Sequence, residues 1–66
     1  MTKSESREFA RAVALAATHP DYAARSLATI HRSALRSATR AAVDAALVQH
    51  GLLAHVRRAG ETWIPA

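Results

Sequence analysis

The sequence predicts a mainly α chain, with three helices followed by a C-terminal β-hairpin. Three observations predict it. Apolar residues recur at helical spacing from Phe9 to Leu47. The pattern is punctuated at His19-Pro20 and at Gly51, where helices end. After Gly51 the rhythm becomes extended, and "LLAHVRR" and "TWIP" are placed to pair around Ala59-Gly60.

The first helix is expected over about Ser4 to Thr18. Thr2-Lys3-Ser4-Glu5 has the form of a capping box, with Ser4 as a rival cap. Phe9, Ala12, Val13 and Ala16 share one face, and Leu15 lies off that stripe. Pro20 suits the first turn of a second helix, and Asp21 suits its positive end. Tyr22, Leu27 and Ile30 are the apolar points of that helix, which is expected to reach about His31.

The stretch "RSALRSATRAAVDAALVQH" has no glycine or proline and admits two readings. It continues the second helix, or it breaks near Ser33-Ala34-Leu35 with Ser33 or Ser37 capping a third. In that third segment Val43 and Leu47 are one turn apart, with Thr39, Ala46 and His50 nearby on the wheel. For the hairpin, the register that sets Arg58 against Glu61, Arg57 against Thr62 and Val56 against Trp63 gives an ion pair at the tip and an apolar pair below. A tight loop asks Ala59 for positive φ, so a slightly longer loop is expected.

The 66 residues suit a single small domain. So short a chain buries only about 60% of the surface that it exposes when unfolded, which makes a homodimer a reasonable expectation. No cysteine is present, which excludes a disulfide framework and thiolate metal ligation. No apolar run approaches a bilayer-spanning length, and Met1-Thr2-Lys3-Ser4-Glu5 lacks a signal-peptide layout, so a cytoplasmic address is expected without a membrane partner.

The formal net charge is +4 and is unevenly placed. Residues 1–22 balance Lys3, Arg7 and Arg11 against Glu5, Glu8 and Asp21. Beyond them Arg25, Arg32, Arg36, Arg40, Arg57 and Arg58 face only Asp44 and Glu61. A basic half points to a polyanionic partner, nucleic acid before an anionic membrane surface. Heavy use of arginine and alanine is also what a GC-rich coding sequence produces, so the location of the charge carries more than its total.

Order and detail together resemble winged helix-turn-helix domains. The resemblance lies in "SATRAAVDAALVQHGLLAHVRRAGETWIPA" and extends over roughly residues 22–66. Ser37 and Thr39 match the start of a recognition helix, and Val43 and Leu47 its inner face. Gly51-Leu52-Leu53 matches its exit, and Arg57-Arg58-Ala59-Gly60-Glu61-Thr62-Trp63 looks like the wing. Arg40 departs from the pattern, standing where many relatives have an apolar residue, and "HRSALR" lacks the usual turn glycine. The resemblance implies a sequence-specific transcriptional regulator bound to double-stranded DNA, and the small size suggests one of phage or mobile-element type.

The residue chemistry agrees with that expectation. Arginine grips guanine O6 and N7 with two bonds, and a helix fits the major groove. Arg36, Ser37, Thr39 and Arg40 are the candidates for the groove, Arg57 and Arg58 for an adjacent phosphate strand, and Arg32 and Arg25 for further phosphate contact. The arginines at 32, 36 and 40 read equally as a solvated helix face, and those at 57 and 58 as charges guarding an edge strand. Trp63 reads as core rather than as a stacking platform. Asp44 reads as an intrahelical partner for Arg40 rather than a reader of cytosine.

Other chemistries find little footing. His19, His31, His50 and His55 lack the spacing of a metal site, and no metal or cofactor is expected. No glycine-rich phosphate loop or paired carboxylates suggest an enzyme. The alternative from another class is a protein-binding module, inhibitor-like or antitoxin-like, acting through exposed apolar residues such as Leu15, Leu35 or Leu53. Double-stranded RNA recognised by shape shares the charge argument but has no motif to support it.

Overall fold

A computed structural model describes residues 1–66, and in it each boundary has a local cause. Helix α1 spans Lys3–Leu15. The Thr2 hydroxyl accepts the Glu5 N–H at 3.1 Å and the Glu5 carboxylate accepts the Thr2 N–H at 3.0 Å, closing the expected capping box. That backbone bond holds the Glu5 carboxyl below its ordinary value. The helix ends at Leu15 rather than Thr18, and residues 16–18 form an irregular turn.

Helix α2 spans Pro20–Ser33, with Pro20 in its first turn and His31 and Arg32 in its last. The open question after it resolves as a break. Ala34 and Arg36 are extended, with ψ of 131° and 136°, and a separate helix α3 spans Ser37–Gln49. Neither serine caps it. Arg36 occupies the cap position without a side-chain bond, and the Ser33 hydroxyl donates back to the Thr29 and Ile30 carbonyls. Gly51 ends α3 in the left-handed region at φ 66°, as expected. Its N–H donates to the Val48 carbonyl at 3.2 Å, and the Leu52 N–H donates to the Leu47 carbonyl at 2.8 Å, the two bonds of a Schellman motif.

Leu53–His55 form a 3₁₀ turn rather than extended chain, and strands β1, Val56–Ala59, and β2, Thr62–Pro65, pair antiparallel. Their register is shifted by two residues from the expected one. Ala59 faces Thr62, Arg58 faces Trp63, Arg57 faces Ile64 and Val56 faces Pro65, so the Arg58–Glu61 tip pair does not form. The loop is Gly60-Glu61, and Gly60 alone has positive φ, at 63°, as the first central residue of a type II′ turn requires. This placement meets the conformational demand with glycine and leaves Ala59 in the strand. The loop is therefore tight, not longer.

The order of three helices and a two-stranded hairpin is compatible with winged helix-turn-helix topology. Helix α2 is the centre: α1, α3, both strands and the 3₁₀ turn all pack against it. The core is one cluster of Ala12, Ala16, Ala23, Ala24, Leu27, Ala28, Ile30, Val43, Ala46, Leu47, Leu52 and Val56, with Phe9, Val13 and Trp63 half-buried against it. Half of the cluster is alanine, which fills little volume but lets helices approach closely. Leu27, Leu47, Leu52 and Val43 supply the bulk. Several large apolar residues stay outside: Tyr22, Val48 and Leu53 are exposed, and Leu35, in the α2–α3 turn, is fully so. No helix is long and apolar enough to cross a membrane.

Candidate nucleic-acid interface

The break at residues 34–36 decides how the arginines are presented. A stripe at 32, 36 and 40 presupposes one helix, but the structure divides it. Arg32 lies in the last turn of α2, Arg36 caps α3, and Arg40 lies one turn into α3, its N–H donating to the Arg36 carbonyl at 3.3 Å. Arg32, Arg36 and Ser37 are exposed. The first turn of α3 contains no acidic residue, and no side chain caps it. Its first N–H groups therefore have no side-chain partner within the helix.

Thr39 departs from the sequence expectation. It is 4% exposed and faces inward with Val43, Ala46 and Leu47, so its hydroxyl offers nothing to a ligand on the outer face. The reason is its phase: residues 39, 43 and 47 stand on one side of α3 at helical spacing. The helical wheel already carried that signal. Arg40 is half-buried, and its Nε is enclosed without a hydrogen-bond partner.

On the hairpin, Arg57 and Arg58 are both exposed and lie on opposite faces of β1. The register places Arg58 directly across from Trp63, and its guanidinium carbon sits 4.7 Å from the centre of the indole ring. This is a cation–π contact that fixes where the charge stands. Trp63 is half-buried against the core, as expected, and is not free to stack on a base.

A polar junction that the sequence did not disclose connects these elements. The Trp63 Nε1–H donates to Asp44 Oδ1 at 2.8 Å, and the same oxygen stands 3.5 Å from His31 Nε2. Asp44 forms no ion pair with Arg40, the partner that helical spacing suggested, and contacts the indole and the imidazole instead. His31 is 2% exposed, and its Nδ1 has no partner. Burial holds the imidazole below its ordinary value of 6.5, the Asp44 carboxylate opposes the shift, and the Arg40 and Arg58 charges reinforce it. Both arginines thus stand close enough to His31 to be felt there, although they come from α3 and β1. The only sequence signal for this junction was negative: an acid on an otherwise basic helix.

Elsewhere, polar contacts are peripheral. His55 Nδ1 lies 2.7 Å from Asp21 Oδ1, tying the base of the hairpin to the start of α2, and Arg11 covers the Tyr22 ring at 5.8 Å. The largest concavity, 620 Å³ and open, lies between the start of α1 and the α2–α3 turn and is lined by Met1, Thr2, Glu5, Ser33, Leu35, Arg36 and Thr39. No three His, Asp or Glu side chains gather where they could hold a metal ion.

Comparison with protein-family models, curated proteins and solved structures finds no match in any of the three.

Proposed function

We propose that this chain is a small DNA-binding protein of winged helix-turn-helix type, acting in the cytoplasm as a transcriptional regulator of phage or mobile-element kind. Helix α3 enters the major groove, with Arg36, Ser37 and Arg40 at its leading end, while Arg57 and Arg58 of the hairpin and Arg32 of α2 meet phosphates. Thr39 supports α3 from inside. The observation that carries this reading is the extended break at residues 34–36. It makes α3 a separately docked helix with an uncapped, acid-free N-terminus, followed by a hairpin bearing two exposed arginines. A helix unbroken from Pro20 to His50 would have been incompatible with it. So small a module offers limited contact area, and binding as a dimer or in several copies follows from that.

The test is fluorescence anisotropy with a short labelled random-sequence duplex, followed by selection of the preferred site. Binding should weaken steeply with salt, because each phosphate contact releases counterions. Arg40→Ala should then weaken the selected site by about 1–3 kcal/mol more than a random duplex if Arg40 touches a base. Equal losses on both would make it a phosphate contact. An absence of binding at low salt would remove the DNA reading.

One observation favours a second reading. Leu35 is fully exposed in the α2–α3 turn and lines the open groove with Met1, which is also exposed. A protein-binding module would use such a surface. Capture of a protein partner that is lost with Leu35→Ser, together with no affinity for duplex, would establish it.

A further inference from the structure

Asp44 poses an electrostatic problem for a surface meant to meet DNA. Its side chain is 47% exposed, on the same helix as Arg40 and one turn beyond it. A carboxylate there repels phosphate, and the helical partner that would have neutralised it is not engaged. Its contacts answer the problem. One Asp44 oxygen accepts the Trp63 indole N–H and faces His31, so a single carboxylate on α3 touches both β2 and α2. Helix α3 and the hairpin otherwise share little contact, since each packs mainly on α2. Packing on α2 brings the two elements near each other, and this bond is the hydrogen bond that joins them directly. Arg58 depends on it in turn, because its guanidinium rests on the ring that Asp44 holds.

We propose that Asp44 is a positioning residue for the anion-binding face: by holding the Trp63 indole against α3, it sets Arg58 of the hairpin beside Arg40 of α3, so that the two act on one stretch of phosphate backbone. The proposal rests on the DNA-binding reading and adds a coupling that the reading alone does not require. Arg40 and Arg58 form a unit, and the acid between them increases affinity for a polyanion although its charge opposes it.

The sign of the charge effect makes this testable. As a mere surface charge, Asp44 lowers affinity, and any neutral replacement tightens binding. As a positioning residue, its replacement by alanine weakens binding, whereas Asp44→Asn, which keeps an oxygen able to accept the indole N–H, binds more tightly than Asp44→Ala. With the random-sequence duplex titrated against salt, Asp44→Ala should reduce the logarithmic salt slope by about 0.9, equivalent to one phosphate contact. Trp63 is the only tryptophan, so its emission reports the bond directly. It should shift to the red in Asp44→Ala and much less in Asp44→Asn. Losses from Arg40→Ala and Arg58→Ala should be non-additive in the wild-type background and additive beside Asp44→Ala.

If Asp44→Ala does not fold, judged by circular dichroism, Trp63→Phe takes its place. That variant keeps a ring for Arg58 but has no donor, and the same loss of slope is expected. Wild-type binding combined with tighter binding by Asp44→Ala at an unchanged slope, or with additive arginines, overturns the positioning role and leaves the DNA reading standing. No duplex binding by the wild type at low salt overturns both.

Discussion

His31 shows how much a single side chain depends on its surroundings. At 2% exposure, with Asp44 on one side and the charges of Arg40 and Arg58 near, it is held neutral below its ordinary value of 6.5. The unfolded chain takes up a proton near that value, and the folded chain does so only at lower pH. The contribution of His31 to stability is therefore complete above about pH 6.5 and declines as the pH falls from there towards the folded value. Urea unfolding from neutral to mildly acidic pH should show the wild type losing stability on acidification and His31→Leu losing less. Equal pH slopes for the two proteins would mean that His31 is free to charge in the folded state. Thr39 carries a different lesson. Its type suggested a ligand contact at the start of a recognition helix, whereas its phase with Val43 and Leu47 placed it inside. Phase decided, because an inward direction on a helix is set by geometry and not by chemistry.

Elements were legible where their ends carry local chemistry. Thr2 and Glu5, Pro20 and Gly51 each act within one or two turns, and each boundary they marked is present to within a few residues. The end of α3 offers a quantitative check. Gly51 has φ 66°, and a Cβ there would meet no heavy atom within 4 Å, so substitution carries a conformational cost without a clash. Gly51→Ala should destabilise by about 1–2 kcal/mol in urea unfolding, and Gly51→Asn by less, since asparagine tolerates the left-handed region. An alanine variant as stable as the wild type would show that the helix end does not need this conformation. Residues 33–36 lacked such a signal. No glycine, proline or capping bond marks the turn, and tertiary packing of α3 on α2 is what bends the chain there. The hairpin register shifted by two residues for a related reason. Alternation specified two strands, but the choice of loop depended on which position glycine occupies in the turn.

The whole molecule is thin, at 26 × 26 × 16 Å, and buries 15 of its 66 residues. Few side chains therefore carry its cohesion. Leu27 lies on α2, the helix against which every other element packs, and is fully buried. Leu27→Ala should cost about 2–5 kcal/mol and lower the thermal midpoint by about 8 °C or more, measured by circular dichroism. A shift of only a degree or two would indicate that the alanine-lined core closes around the cavity. With so little core, the exposed Leu35, Val48 and Leu53 are apolar surface that the chain does not cover itself.

Packing decided the division between α2 and α3, whereas a capped first helix, a break at His19-Pro20, a left-handed glycine after α3 and a closing hairpin were all decided by residues that act on their immediate neighbours. The same holds for the basic bias beyond Tyr22, which is a matter of counting. Tertiary structure alone decided which side chains meet. Asp44 reaches Trp63 nineteen positions away and leaves Arg40 without an ion pair, Thr39 turns inward, and Leu35 stays in solvent. Helical spacing limits a side chain to neighbours three or four residues apart, but the angle at which α3 and the hairpin rest on α2 brings an acid and an indole together. That angle is the outcome of packing over the whole chain, so no short stretch of sequence encodes it.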